Sequence, residues 1–118
     1  PYMMFNSKFD WNNFENIAKL SYCSKFHPYK KIKGYIIHEL MHVLNYKNSP
    51  KLSAINDIKK ISDEEKAIVL QVSQYSQEGL NEFISEYAAG RMENNISYSK
   101  EVNDLYRACG GPNLFNDW

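Results

Sequence analysis

The run His38-Glu39-Leu40-Met41-His42 sets two imidazoles four residues apart, with a carboxylate beside the first. On an α-helix, residues at that spacing lie one above the other on the same face, so both rings can turn a nitrogen to one cation, at about 2.0–2.1 Å for zinc. Zn²⁺ is therefore the cofactor the pattern predicts. Glu39 stands beside such an ion, where a carboxylate can take a proton from a water whose pKa the metal lowers from near 16 towards about 7. That makes Glu39 the candidate general base. A catalytic zinc also needs a third protein ligand and one open position. His27, the only other histidine, sits in Phe26-His27-Pro28, and nothing in the sequence directs its ring to the metal. Asn81-Glu82-Phe83-Ile84-Ser85-Glu86 offers a better donor, because Glu82 and Glu86 share one helix face while Phe83, Ile84 and Tyr87 turn away from it. One carboxylate can ligate; the other can accept the free ring N–H of a ligand histidine and so fix its tautomer.

Two helices must bring these groups together. The first is predicted from about Lys33 to Tyr46, with Ile36, Leu40, Val43 and Leu44 as its apolar stripe, and Asn48-Ser49-Pro50 ends it. The second runs from about Gln77 or Glu78 to Asn94, with Leu80, Phe83, Ile84, Tyr87 and Ala88 on one side. Around them, Tyr2–Phe5 reads as a short edge strand, and Trp11–Tyr22 as a helix with Asp10 as its N-cap. Ser24–Gly34 reads as an exposed loop and Lys51–Ile61 has no regular pattern. Ser62-Asp63-Glu64-Glu65 is a capping box opening a helix that ends near Ser73. Ser99 caps a last helix with Val102, Leu105, Tyr106 and Ala108, stopped by Gly110-Gly111-Pro112. The expected class is α+β, mainly α, with a short edge sheet packed on the helix that carries the two histidines.

Composition narrows the functions. A chain of 118 residues, 43% of them apolar, supports one domain over residues 1–118 and no second core. Lys+Arg and Asp+Glu both number 14, so no global field draws the chain to nucleic acid or to anionic lipid. Apolar runs such as Ala67-Ile68-Val69-Leu70 fall far short of the ~20 residues a membrane span needs. Function must then reside in a local site. Cys23 and Cys109 could form one bridge or none, and they lack the spacing of a zinc knuckle. Pro1 opens the sequence without an initiator Met, which suggests a segment of a longer protein.

The order His38-Glu39-x-x-His42, then Asn81-Glu82-x-x-Ser85-Glu86, resembles the gluzincin metallopeptidases. Within that group, Val72-Ser73-Gln74-Tyr75, with Tyr75 seven residues before Glu82-Phe83-Ile84-Ser85-Glu86-Tyr87-Ala88, is similar to a segment of the anthrax lethal factor catalytic domain. Related secreted clostridial peptidases and metallopeptidase-like domains attached to phage head morphogenesis proteins share that segment. The loop Phe26-His27-Pro28-Tyr29-Lys30 leading to Tyr35-Ile36-Ile37-His38-Glu39 looks like the phage-linked members. The resemblance covers roughly Tyr2 to Met92, and it departs at two positions: Met41 stands where many relatives have Gly, and Ser85 where they have Ala.

The resemblance implies a zincin-like fold in which His38, His42 and Glu82 hold the zinc and Glu86 orients a ligand histidine. It implies that Glu39 is the base and that Tyr75 donates a hydrogen bond to the oxyanion of peptide hydrolysis. It further implies that Tyr2, Met3, Met4 and Phe5 align an extended substrate by strand addition. The function so implied is a zinc-dependent endopeptidase, with a protein or peptide substrate as its partner. The rivals are a phage or mobile-element interaction domain that keeps its metal for stability, and a regulatory protease of a toxin or repressor system.

Overall fold

The computed structural model describes residues 19–20 and 22–115. Among the described residues five helices follow one another: α1 (Ile32–Asn48), α2 (Pro50–Ile58), α3 (Asp63–Val69), α4 (Leu80–Asn94) and α5 (Lys100–Ala108), with a 3₁₀ turn (Tyr75–Glu78) before α4. α4 is the centre. Every residue from Leu80 to Gly90 is buried except the half-buried Glu82, so this helix has no solvent face along most of its length. A helix buried all round must be packed all round. α1 lies along it, and Val69, Val72, Val102, Tyr106 and Cys109, on or just beyond α3 and α5, share one core with Met41, Leu80, Phe83, Ile84, Tyr87 and Ala88. The Tyr87 and Tyr106 rings stack at 4.0 Å and bind α5 to α4.

Local chemistry sets the boundaries. The capping box is present, Ser62 Oγ accepting from the Glu65 amide while Glu65 accepts from the Ser62 amide, and Ser99 caps α5 through Val102 N–H. α3 stops at Val69, short of the predicted Ser73, because the chain turns over Leu70–Val72. Pro50 both follows the end of α1 and begins α2, where its missing N–H costs nothing at the first helical position. Reading Lys51–Ile61 as irregular overlooked that second role. No helix of the described residues is long and apolar enough to cross a membrane.

The expected α+β class is corrected to a helical one. Among the described residues there is no strand, and the segments packed on α1 are helices or turns, so no edge sheet lies against it. A sheet needs a second strand to pair with the first, and each described stretch carries helical periodicity or turn chemistry instead. The strand assigned to Tyr2, Met3, Met4 and Phe5, and most of the helix assigned to Trp11–Tyr22, lie outside the described residues.

Candidate metal centre

Three ligand atoms meet where α1 crosses the first turn of α4. His38 Nε2 and Glu82 Oε2 are 2.8 Å apart, His42 Nε2 and Glu82 Oε2 3.1 Å, and the two Nε2 atoms 3.2 Å. Their register is built. Asn81, the neighbour of Glu82, accepts from Asn45 Nδ2 on α1 (3.0 Å) and Asn56 Nδ2 on α2 (3.2 Å), and donates to the Ser53 carbonyl (2.8 Å) and to Asp57 (2.6 Å). This buried amide ties the start of α4 to both neighbours. Glu82 cannot slide relative to His38 and His42 without breaking it.

Behind this triangle Glu86, fully buried, accepts from His38 Nδ1 at 3.0 Å through Oε2. Through Oε1 it accepts from His27 Nδ1 at 2.6 Å and from Ser73 Oγ at 3.0 Å. Burial raises the Glu86 pKa, but the bonds from His27 and His38 outweigh it and hold the group below the ordinary carboxylate range. Burial likewise opposes ionisation of Glu82, yet its bonds to His38 and His42 pull it down to about 2. For His38 burial favours the neutral ring, and the bonds to Glu82 and Glu86 overcome it, lifting the pKa to about 9.

The donor set fits a divalent cation. With Nδ1–H committed to an ionised Glu86, a neutral His38 has its lone pair on Nε2, facing the Glu82 carboxylate and the Nε2 of His42. Lone pairs so arranged repel unless a proton or a cation lies among them. Tetrahedral ligands at zinc distances stand about 3.3 Å apart, close to the observed separations. The three residues can therefore hold one metal ion, and two imidazoles with a carboxylate suit zinc. His38 is buried, whereas His42 and Glu82 are about a quarter exposed, which leaves one side accessible.

Glu39 is exposed and lines a cavity of about 200 Å³ together with His27, Tyr29, Tyr35, His38 and Tyr75. Tyr75, the first residue of the 3₁₀ turn, has its ring 5.8 Å from that of His38. Burial, then the charges of Glu82, Glu86 and Glu39, raise its pKa, so the phenol keeps its proton and can donate. The structure thus gathers His38, His42 and Glu82 at one point, Glu86 behind them, and Glu39 and Tyr75 at one cavity; Tyr2, Met3, Met4 and Phe5 lie outside the described residues.

Sequence reasoning weighed His27 only as a ligand, and it is not in the ligand group. Its partner is Glu86. The loop that carries it is clamped on two sides. Gln74 N–H and Tyr75 N–H bond the carbonyls of Lys25 (3.0 Å) and Phe26 (3.1 Å), and Pro28 lies over Gly90, where an added Cβ would run into the Tyr98 hydroxyl and lie 3.1 Å from the Pro28 side chain. Gly90 is one turn beyond Glu86 on the same face, so a small residue there lets the loop reach the buried acid. That spacing, Glu86-x-x-x-Gly90, was the available signal. Ser73 and Asn81 were also quoted in motifs without a role. No family model matches the chain, and no curated protein or solved structure matches it either.

Proposed function

We propose that the chain is a zinc-dependent endopeptidase domain of the gluzincin type, acting on a protein or peptide substrate. The observation that carries this reading is the convergence of His38 Nε2, His42 Nε2 and Glu82 Oε2 within 3.2 Å of one another, beside a cavity that holds Glu39 and Tyr75. Zinc, when bound by these three residues, supplies Lewis acidity that polarises a carbonyl and makes water acidic. Glu39 takes the proton of the attacking water and returns it to the leaving amine. Tyr75, protonated at neutral pH, donates to the oxygen that gains charge in the transition state, a contact that helps only if held in place beforehand. Glu86 fixes His38 in the tautomer that leaves Nε2 free to ligate.

The test is a mixed peptide pool followed by mass spectrometry, with wild type and Glu39→Ala side by side. The expected result is metal-dependent cleavage by wild type, and a variant that retains stoichiometric zinc but cuts nothing. Equal behaviour of the two proteins would favour a metal-stabilised interaction domain. Absence of zinc from purified wild type, with a melting temperature that a chelator leaves unchanged, would refute the centre itself.

A further inference from the structure

Glu86 joins two imidazoles, and only one of them belongs to the ligand set. His27 is bound at Nδ1 by a fully buried carboxylate at 2.6 Å, and its side chain is 11% exposed. Its ring packs against Tyr29 (5.0 Å, nearly parallel), Tyr35 (5.1 Å) and Tyr75 (5.1 Å), so it is wedged on several sides. This is far more support than a loop histidine needs to stay folded. Because an ionised Glu86 can only accept, Nδ1 must carry a proton, and the chemistry left to the ring is at Nε2, on the edge away from Glu86. The ring lines the 200 Å³ cavity whose other walls include His38, Glu39 and Tyr75. The ring also borders a second cavity, of about 540 Å³, with Cys23, Pro28 and Ser73. A carboxylate that fixes one nitrogen of an imidazole on a cavity wall is a working arrangement for proton exchange and for stabilising charge.

We infer that His27 is a further catalytic residue of this centre, whose Nε2 hydrogen-bonds the anionic oxygen of a group bound at the metal in the cavity that His27 and Glu39 both line. The hydrogen bond to that oxygen, beside Tyr75, requires a proton on Nε2, which the ring takes up together with the bound anion. The inference rests on the metal-centre reading above.

Three substitutions separate the two ring nitrogens. His27→Asn keeps a donor where Nδ1 stands and removes Nε2; His27→Gln reaches the Nε2 position; His27→Ala removes both. Each protein is loaded with Co²⁺, and acetohydroxamate, an anionic metal-binding mimic of the reacting group, is titrated against the visible spectrum. His27→Asn should bind Co²⁺ within about threefold of wild type but acetohydroxamate roughly ten- to a hundredfold more weakly, the effect of losing one hydrogen bond to a charged group. His27→Gln should recover part of that loss. A purely structural histidine predicts the reverse, with His27→Asn equal to wild type and His27→Gln impaired, and that pattern would overturn the inference while leaving the centre intact. If wild type takes up no Co²⁺, the metal centre falls, and the inference with it.

Discussion

Replacing Glu86 by Gln tests the arrangement behind the metal position, because the two side chains have the same shape but not the same acceptors. Oε2 of Glu86 accepts from His38 Nδ1 at 3.0 Å, and Oε1 accepts from His27 Nδ1 at 2.6 Å and Ser73 Oγ at 3.0 Å. A glutamine must put its NH₂ in one of those places. Facing His38 it would set donor against donor, and His38 could escape only by moving its proton to Nε2, the atom turned towards Glu82, which would abolish ligation. Facing His27 it costs less, since His27 can change tautomer without touching the ligand set and the Ser73 hydroxyl can rotate. The second orientation should win. Metal binding then survives without its charged partner, and losing such a partner typically weakens affinity about 10–100-fold, or about 1.4–2.7 kcal/mol. The metal-free fold should also lose about 1–3 kcal/mol, because the Glu86 charge is held by hydrogen bonds that outweigh its burial. Zinc affinity is read by competition with a chromophoric chelator, and stability by urea unfolding in excess chelator. Glu82→Gln, which alters a ligand directly, should weaken zinc more than Glu86→Gln does. Affinity of Glu86→Gln within about twofold of wild type, or a reversed order of the two variants, would refute the assigned roles.

Three further outcomes are expected. Without metal, His38 holds its proton to about pH 9 when folded against 6.5 when unfolded, so its contribution is complete below pH 6.5 and fades as pH rises through 9; Glu82, at about 2 against 4.5, contributes above pH 4.5 and fades as pH falls through 2. Both shifts express one contact, so the difference in urea midpoint between wild type and His38→Gln, in chelator, should be level from about pH 4.5 to 6.5 and shrink on either side; a level difference up to pH 10 would contradict it. Gly34→Ala should lower stability by about 1–3 kcal/mol in thermal unfolding, because an added Cβ would run into the buried Tyr29 ring that stacks on His27. Ser85→Ala should leave stability unchanged or raise it by about 1 kcal/mol in the same measurement, since the buried Ser85 hydroxyl has no hydrogen-bond partner among the described residues.

What could be read from the sequence was whatever helical periodicity and side-chain chemistry specify locally. His38 and His42 lie on one face of α1 because four residues make about one turn, and Glu82 and Glu86 repeat that spacing on α4. Ser62 and Ser99 cap helices because their hydroxyls satisfy amides a turn ahead. Contacts between distant segments were hidden. Asn81 is an ordinary polar residue in sequence, and only the packing of α1, α2 and α4 makes its amide the junction of three helices. His27 was hidden for the same reason, since 59 residues separate it from Glu86 and the approach depends on Pro28 fitting over Gly90. Pro50 misled in another way, because one residue served as both a stop and a start.

The change from an α+β to a helical description alters how a substrate could be held. Strand addition supplies affinity through a row of unpaired backbone groups at a sheet edge, and among the described residues there is no such edge. Among the described residues, the groups that could contact a bound molecule at this centre are side chains. Those lining the cavity are three tyrosines, two histidines and Glu39, so its walls combine aromatic surface with groups able to donate or accept hydrogen bonds. On the proposed peptidase reading, such walls would hold a peptide bond by its polar atoms at the point of attack. On the same reading, a cavity of about 200 Å³ would take the peptide unit, and a large side chain would lie outside it. The formal charge of zero is likewise a poor guide to this region. Glu39, Glu82 and Glu86 gather near one point, and a divalent cation there would be held by local charge that the balanced total conceals.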